Sequence, residues 1–394
     1  METLCFEGNY TKRFARYKEF CNEKVEVVIG EFIKRFCNDW LEEEYIEQSG
    51  AGRYERTNRR EDYRGGHYER QLITTRGIVK VKVPRGLQHK YSYSLFEKYQ
   101  RRTVEFDDVV VSALLNGHSS RKSNIFFKKL LGDGTISHQT AVKTLRRFDN
   151  QVKAWKNQPI SDGGMILVLD AVYFKGVVRH LKDAKPVLFG YVVYEDGHEE
   201  VVGFELAYGE SKDAWYRFCM GLCERGLKNV KLIVRDDCDA IKEAISLVWP
   251  KAMDQACVFH VMQNLTKKLK GCKDKKAIIK DVSWLYEAQS EEEFYGWLVK
   301  FQKKWQKYRY HEAIEYLQKK VYGSIRYFTL PKEFWSIAKT TNRLERMFEE
   351  LKRRVRVFRR FPNTLSCERW LYALLKLNNK VPLDDFALQS QQDS

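Results

Sequence analysis

The sequence predicts an α/β protein in which a helical, basic amino-terminal region precedes a mixed sheet with flanking helices. The sheet is indicated by residues 165–174, MILVLDAVYF, a nearly continuous apolar run typical of a central strand. The regions on either side have apolar residues at helical intervals instead. A chain of 394 residues also exceeds the usual size of one hydrophobic core, so two or three domains are expected.

The amino-terminal third contains helices and one basic hairpin. Residues 11–48 carry a helical apolar rhythm, which indicates one or two amphipathic helices. Four glycines then predict turns, and residues 74–84, TTRGIVKVKVP, alternate apolar side chains with lysines as a short strand or hairpin does. These glycines are Gly50, Gly52, Gly65 and Gly66.

Residues 104–150 predict three helices. The first ends at Gly117, the second ends at Gly132, and the third is opened by Ser137, a favourable N-cap residue. Two short helices and a third one with exposed polar residues suit a helix-turn-helix, although an ordinary three-helix bundle has the same pattern. The linker at 157–164 marks a domain boundary.

After this linker the pattern predicts the element order β-β-β-α-β-α-β-α. Two further strands follow the apolar run, with a hairpin turn at residues 195–198, and a fourth strand covers 230–237. A helix ended by Pro250 leads to a short fifth strand, which feeds a helix from His260. Three hairpin-linked strands followed by alternating helices and strands are the layout of the RNase H-like fold.

The remainder of the chain reads as helical. Residues 264–338 have helical spacing and do not continue the sheet, so they predict an all-helical insertion, and two more helices follow it. The predicted regions are 1–100, helical and basic; 101–156, helix-turn-helix-like; 165–263, the first part of the core; 264–338, the insertion; 339–380, the last core helices; and 381–394, a tail.

The charge favours a polyanionic partner. The chain has 70 Lys and Arg against 53 Asp and Glu, a formal net charge of +17, and nucleic acid is the commonest partner of such a surface. A basic surface that is merely solvated is the alternative. No apolar stretch is long enough for a membrane span, no signal peptide is evident, and the nine scattered cysteines suit a reducing compartment, so we expect an intracellular protein.

Three acidic residues are candidates for a metal site. Asp170 lies in the apolar strand, where a lone carboxylate is costly unless it is paired or metal-bound. Asp236 ends the fourth strand, which neighbours the first in an RNase H-like sheet, and Glu345 lies in the first turns of a later helix. Such a trio can hold two Mg²⁺ ions about 3.5–4 Å apart.

Each of these carboxylates also has an ordinary alternative interpretation. A strand-end Asp is often a turn or cap residue, so Asp237 competes with Asp236, and Asp239 is a candidate N-cap. A helical Glu is usually solvated, and Glu349 and Glu350 are rivals of Glu345.

The chain resembles the transposases of Mutator-type bacterial and archaeal insertion sequences over residues 50–380. The strings that carry the resemblance stand in the family's order: YERTNRREDYRGGHYERQLITTRG with VKVPRG, NGHSSRKSNIFFKKLLG with ISHQTAVK, LVLDAVYFK, the stretch from GESKDAWYRF to VRDDCDAIKEAI, QACVFHVMQNL, and TTNRLERMFEELKRRVRVFRRFPN. One departure is Arg64-Gly65-Gly66, where family members often have Arg-Asn-Gly.

The resemblance implies a DDE transposase with an RNase H-like core, in which Asp170, Asp236 and Glu345 are the catalytic, metal-holding residues. It implies Mg²⁺ as cofactor, with Mn²⁺ expected to substitute. The reaction implied is metal-dependent nicking at the element's terminal inverted repeats, followed by 3′-OH strand transfer. We therefore expect double-stranded DNA as partner, at element ends and target, a homodimer or higher oligomer in synapsis, and a prokaryotic, cytoplasmic protein that is nucleoid-associated when bound to DNA.

Cys257 and His260 form a Cys-x-x-His pair within the same resemblance. Together with Cys238 they suggest zinc, but a zinc site needs four suitably spaced ligands and no matching second pair is visible. We expect these two residues to be structural or to line the active site.

Basic segments predict the DNA contacts. One interleaves arginines with tyrosines, which suits phosphate contact with some stacking, and another follows Glu345 on the same helix. A solvated basic face is the alternative for both. The predicted DNA-binding residues are Arg53, Arg56, Arg59, Arg60 and Arg64; Ser137, His138, Gln139 and Lys143 for base readout; and Lys352, Arg353, Arg354 and Arg356.

Two other functions remain compatible with the sequence. A non-enzymatic DNA-binding repressor would use only residues 1–150. An RNase H-like nuclease would hydrolyse DNA without joining it. Strand transfer in Mg²⁺ separates both from a transposase.

Overall fold

A computed structural model describes residues 25–97, 100–131, 136–174, 185–305, 310–356 and 361–378. The side chains of residues 25–28, Ser120 and His138 lie outside this description. The chain divides between Leu145 and Arg146 into two compact units. Residues 1–24 of the first predicted helical region and the predicted tail at 381–394 fall outside the described ranges.

In the first unit, a long helix packs against a two-stranded antiparallel sheet. Helix α1 covers Val25–Ser49, and the hairpin consists of β1, Arg64–Thr74, and β2, Gly77–Gly86. The alternation in β2 buries Val79, Val81 and Val83 against α1 and leaves the intervening lysines exposed, as a half-buried strand requires. The predicted hairpin on a basic surface is confirmed.

The hairpin is longer than predicted because two glycines that were expected in a turn belong to β1. Gly65 and Gly66 lie between Arg64 and His67, where the register of β1 against β2 shifts. Gly66 has a φ of 86°, a conformation that glycine adopts without strain. The glycine pair therefore forms a bulge within the strand, and the turn prediction for these two residues was wrong.

Three short helices follow in the first unit: α2, Val104–Leu115; α3, Ser120–Leu131; and α4, His138–Thr144. The Ser137 hydroxyl accepts a hydrogen bond from the N–H of Thr140, which confirms the predicted N-cap of α4. The rings of Phe106 and Phe127, 5.4 Å apart, join α2 to α3. The three helices agree with the prediction, and they are common to a helix-turn-helix and to a simple bundle.

The second unit contains helix α5, Phe148–Asn157, and a five-stranded mixed sheet of order β5-β4-β3-β6-β7. The strand β3 is central, pairs antiparallel with β4 and pairs parallel with β6. The predicted order of the strands along the chain is confirmed. The strands are β3, Gly164–Phe174; β4, Lys185–Tyr194; β5, Glu199–Leu206; β6, Val230–Arg235; and β7, Met253–Ala256.

Helices cover both faces of this sheet. Helices α6, Lys212–Glu224, and α7, Asp239–Val248, share a core with Leu188 of β4. The adjacent Phe189 points to the opposite face and contacts Phe348 of a later helix, with ring centroids 5.0 Å apart. An apolar strand buried on both faces accounts for the continuous hydrophobic run that predicted it.

After β7, the described elements are helical. Helix α8 begins at Val258, two residues before the predicted start at His260, and Cys257 is its N-cap residue. Within the described ranges, no helix is both long and apolar enough to span a bilayer. The elements are α8, Val258–Lys268; α9, Lys275–Leu285; α10, Glu291–Trp305; α11, His311–Val321; three 3₁₀ turns at Tyr322–Ser324, Arg326–Thr329 and Lys332–Phe334; α12, Trp335–Ala338; α13, Asn342–Val355; and α14, Thr364–Leu377.

Candidate active site

Two aspartates lie side by side on neighbouring strands, Asp170 within β3 and Asp236 directly after β6. The parallel pairing of β3 with β6 aligns Leu169 with Arg235, so the next residues, Asp170 and Asp236, lie at the same edge of the sheet. Asp170 is only 7% exposed, and its Oδ1 accepts a hydrogen bond of 2.7 Å from the N–H of Ala171. The predicted neighbourhood of the first and fourth strands is therefore confirmed.

Helix α13 brings Glu345 to these aspartates. The helix packs against β3, and its buried Phe348, one turn after Glu345, anchors it on the sheet. Glu345 is close enough to interact electrostatically with Asp170 and Asp236. Residues separated by more than 170 positions in the sequence thus meet at one edge of the sheet.

A histidine from α8 lies between two of these carboxylates. The Nδ1 atom of His260 is 3.4 Å from Oδ1 of Asp236, and its Nε2 atom is 3.6 Å from Oε1 of Glu345. Asp170 also interacts electrostatically with this imidazole. The three predicted carboxylates are therefore gathered around His260, which the sequence indicated only as a residue lining the site.

The pKa values reflect burial first and this crowding of charge second. Burial raises the pKa of Asp170 to about 7, and the negative charges of Asp236 and Glu345 add to this shift, while His260 opposes it. Burial also raises the pKa of Glu345. Burial would lower the pKa of His260, but the Cys257 side chain and the carboxylates of Asp236 and Asp170 outweigh it and raise that pKa to about 9. The cluster therefore favours protons or other cations.

The donor chemistry of the cluster fits Mg²⁺. All three acidic side chains offer hard oxygen ligands, and two of them have a raised pKa, so a divalent cation would relieve their repulsion. In the described part of the chain, no three His, Cys, Asp or Glu side chains converge on a single point where they would share one ion. The carboxylates surround the imidazole instead, and the metal-holding role stays a prediction.

Cys257 links the elements that carry the site. Its Sγ atom accepts a hydrogen bond of 3.3 Å from the N–H of Thr341, the residue that precedes α13. Its own N–H donates to the carbonyl of Arg235 at the end of β6, at 2.8 Å. Cys257 thus connects β6, which precedes Asp236, with α8, which carries His260, and α13, which carries Glu345.

Three of the four alternative acidic residues pair with basic side chains, namely Asp237, Glu349 and Glu350. The carboxylate of Asp237 points to α11, and Asp239 is the first residue of α7 rather than its N-cap, which is Cys238. Glu349 pairs with Lys352, and Glu350 pairs with two arginines. None of these four contacts His260 among the described ion pairs.

Three of the predicted DNA-binding residues pair with glutamates of α13, namely Lys352, Arg353 and Arg354. Arg353 and Arg354 both donate hydrogen bonds to Glu350, at 2.6–2.8 Å, and Arg356 at the end of the helix is exposed. Arg359 and Arg360, part of the same basic run, lie outside the described residues.

Two of the predicted DNA-binding residues of the first unit make contacts within that unit. Arg60 donates to the carbonyls of Gly52 and Glu55, and Arg64 pairs with Glu42 while its guanidinium lies over the Tyr45 ring. The other predicted contact residues are exposed, apart from His138, whose side chain is outside the described part. They are Arg53, Arg56, Arg59, Ser137, Gln139 and Lys143. Their contact with DNA stays a prediction.

Comparison with known proteins assigns the chain to a family. The model of the Mutator family of transposases matches residues 9–380. The chain belongs to the Mutator transposase family. The transposase of insertion sequence element ISRM5 from Rhizobium meliloti is 32% identical over 366 residues, which cover 91% of each chain.

More distant members of the Mutator family match over nearly the same span. The transposase of IS406 from Burkholderia multivorans is 29% identical, covering 88% of this chain and 89% of that one. The transposase of IS256 in transposon Tn4001 from Staphylococcus aureus is 27% identical, covering 86% of both. The resemblance stated from the sequence is confirmed at the level of the family.

Proposed function

We propose that this Mutator-family chain is an active DDE transposase that nicks DNA at the ends of an insertion sequence and joins the freed 3′-OH to target DNA. The observation that supports this most directly is the gathering of Asp170, Asp236 and Glu345 around His260. Buried carboxylates with raised pKa values, collected from distant parts of the chain, are characteristic of functional sites. Membership of the Mutator transposase family is the reason to propose cleavage and joining of DNA as the reaction of this cluster.

The catalytic core of the proposed transposase is RNase H-like. Its support is the order β5-β4-β3-β6-β7, in which three antiparallel strands are followed by two parallel ones, with helices between and around them. In this proposal, α2–α4 act as a helix-turn-helix for the terminal inverted repeats.

The three carboxylates would hold Mg²⁺, and Mn²⁺ would substitute. When bound, a pair of divalent ions would activate the attacking hydroxyl and stabilise the leaving oxygen of a phosphodiester. The task of the protein is to keep the carboxylates oriented. The N–H of Ala171 donates to Oδ1 of Asp170, and the N–H of Asp237 donates to Oδ1 of Asp236 at 2.5 Å. His260 contacts the carboxylates of Asp236 and Glu345.

The substrate would be double-stranded DNA, at the element ends and at the target. A net charge of +17 favours a polyanion, and the basic half of α13 follows Glu345 on the same helix, which suits guiding a strand to the carboxylates. Bringing two element ends together requires a homodimer or a higher oligomer.

The test is strand transfer with pre-cleaved duplexes taken from the ends of the DNA that flanks the gene. In Mg²⁺, the wild-type chain should join these duplexes to target DNA, whereas Asp170→Asn should bind them with nearly unchanged affinity and join none. Binding without joining or nicking by the wild-type chain would indicate a repressor. Hydrolysis without joining would indicate a nuclease, and either result contradicts the proposal.

A further inference from the structure

Asp237, the neighbour of Asp236, is held by the helical region rather than by the sheet. Its Oδ1 atom is 2.5 Å from Nζ of Lys320, and its Oδ2 atom accepts a hydrogen bond of 3.3 Å from the hydroxyl of Tyr316. Both partners belong to α11. Because they are four residues apart, they lie on the same face of that helix, and each contacts one oxygen of the Asp237 carboxylate.

This contact differs from the surface ion pairs of the same helix. The side chain of Asp237 is only 9% exposed and that of Lys320 is 34% exposed, so water screens this pair less than it screens a pair at the surface. The neighbouring pair of Lys319 and Glu315 is 70% and 60% exposed. A buried carboxylate that lost its cation would be left uncompensated, so Lys320 constrains Asp237 strongly.

The contacts that hold the Asp237 side chain also affect Asp236, because the two residues are joined by a backbone hydrogen bond. The N–H of Asp237 donates a hydrogen bond of 2.5 Å to Oδ1 of Asp236, the same oxygen that lies 3.4 Å from His260. The side chain of Asp237 and the peptide N–H that orients Asp236 belong to one residue. Holding the side chain of Asp237 in place therefore limits the movement of the N–H that orients Asp236.

The other side of Asp236 is held by the sheet. Arg235 donates to the carbonyl of Asp236 at 2.9 Å, and it also makes a bidentate pair with Asp254 on β7, at 2.6 and 2.7 Å. The loop that carries Asp236 is thus fixed at two points, one in the sheet and one in α11.

The same helical region also carries His260. Tyr316 hydrogen-bonds the side chain of Asn264, which lies one turn after His260 on α8, and α8 packs against α11. The two helices therefore form one support that contacts Asp236 twice, directly through His260 and indirectly through Asp237.

We propose that Tyr316 and Lys320 are positioning residues of the active site, which fix Asp237 so that its N–H presents the Asp236 carboxylate to a divalent cation. This inference rests on the proposed function. It assigns the helical region between β7 and α13 a role in preparing the proposed metal site.

The test measures Mn²⁺ binding by titration calorimetry with the full chain, alongside nicking at saturating Mg²⁺. Partners that orient metal ligands typically contribute 10- to 100-fold to metal affinity or activity. We expect Lys320→Met to weaken Mn²⁺ binding and slow nicking by roughly tenfold or more, with DNA affinity unchanged, and Lys320→Arg to restore most of both. Lys319→Met removes an exposed lysine from the same helix and should behave as the wild-type chain.

Wild-type Mn²⁺ affinity in Lys320→Met would overturn the inference, as would an equal loss in Lys319→Met. Because Lys320→Met leaves a buried carboxylate unpaired, circular dichroism must show that it folds. If it does not fold, Tyr316→Phe decides, since this variant removes one hydroxyl and keeps the charge pair; unchanged Mn²⁺ affinity and nicking would then reject the inference. Failure of the proposed function would give a different result. The wild-type chain would then bind no Mn²⁺, or it would bind Mn²⁺ equally well after Asp170→Asn.

Discussion

Helix α13 carries Glu345 in its first turn and Glu350 towards its other end, in opposite electrostatic surroundings. Burial, with a contribution from the charge of Asp236, raises the pKa of Glu345 above its ordinary value. Hydrogen bonds from Arg353 and Arg354 lower the pKa of Glu350 to about 2. One helix thus carries a carboxylate whose charged form is destabilised by its surroundings and another whose charged form is stabilised.

The two glutamates differ in whether the protein provides enough counterions for the carboxylate. Glu350 has two arginines as counterions, so nothing further is required to stabilise its charge. Glu345 shares a single imidazole with Asp236 and lies near Asp170, so the negative charges outnumber the cation. Like charges are kept together at a cost in stability where a bound cation compensates them, which is why strained electrostatics indicate function.

The largest expected contrast is between Glu345→Gln and Glu350→Gln. Glu345 is a metal-holding carboxylate in the proposed function, so its loss should reduce the rate of nicking by at least about 10³-fold, as removal of a central catalytic group commonly does. Glu350→Gln leaves the cluster intact and should nick within about threefold of the wild-type rate at saturating DNA, a difference of less than about 1 kcal/mol in the barrier. Equal losses in the two variants would mean that the two halves of α13 do not differ in function.

The next contrast is in how stability depends on pH in the absence of metal. The folded-state pKa of Asp170, about 7, is higher than its ordinary value of 3.8, so the native chain binds a proton that the unfolded chain releases. Its contribution to stability is therefore fully present below about pH 4 and is lost as the pH rises to about 7. Asp170→Asn should be more stable than the wild-type chain above pH 7, by up to a few kcal/mol, since each unit of pKa corresponds to about 1.4 kcal/mol.

Urea unfolding in EDTA across pH 4–8 measures this effect, and Glu350→Gln is its matched control. Because the pKa of Glu350 is lowered, its stabilising contribution is present above its ordinary pKa of 4.5 and is lost as the pH falls towards 2. The control should therefore show no gain at high pH. A stability difference between Asp170→Asn and the wild-type chain that does not change with pH would show that Asp170 is not the group that titrates.

The sequence predicted the parts of the site that depend on local pattern. An apolar run interrupted by one Asp indicated β3, and the alternation of strands and helices indicated that β6 lies beside it, which is what brings Asp170 and Asp236 together. Ser137 was recognisable as an N-cap because that hydrogen bond involves residues three apart. Periodicity, strand order and capping are all encoded within short windows or by simple topology.

The supports of the site were not predictable in this way. The position of His260 between two carboxylates and the contact of α11 with Asp237 depend on how helices far apart in the sequence pack together. No spacing distinguishes Lys320 from the exposed Lys319 beside it. Gly65 and Gly66 were misassigned for a related reason: their tolerance of unusual backbone angles suits a turn and a strand bulge equally, and the pairing of β1 with β2 determines which one forms.

The smallest expected effect concerns the basic end of α13 as a DNA contact. Each phosphate that a protein neutralises contributes about −0.9 to the slope of log affinity against log salt concentration. The double variant Arg353→Ala with Arg356→Ala should therefore make this slope shallower by about 2, and it should weaken binding evenly across DNA sequences. Replacing the exposed Lys303 and Lys319 by Ala removes the same charge elsewhere in the second unit and should leave the slope unchanged. Fluorescence anisotropy of element-end duplexes over a salt series measures both.

Glu350→Gln should act in the opposite direction on the same surface. Arg353 and Arg354 are held by Glu350, so a phosphate must compete with that carboxylate for them. With Gln at this position the arginines lose their counterion, and affinity for DNA should rise by a few fold at low salt, with a steeper slope, as expected when exposed charges are freed. An unchanged slope in Glu350→Gln together with an unchanged slope in the double arginine variant would show that this end of α13 is a solvated basic face, and that only its first turn serves the reaction.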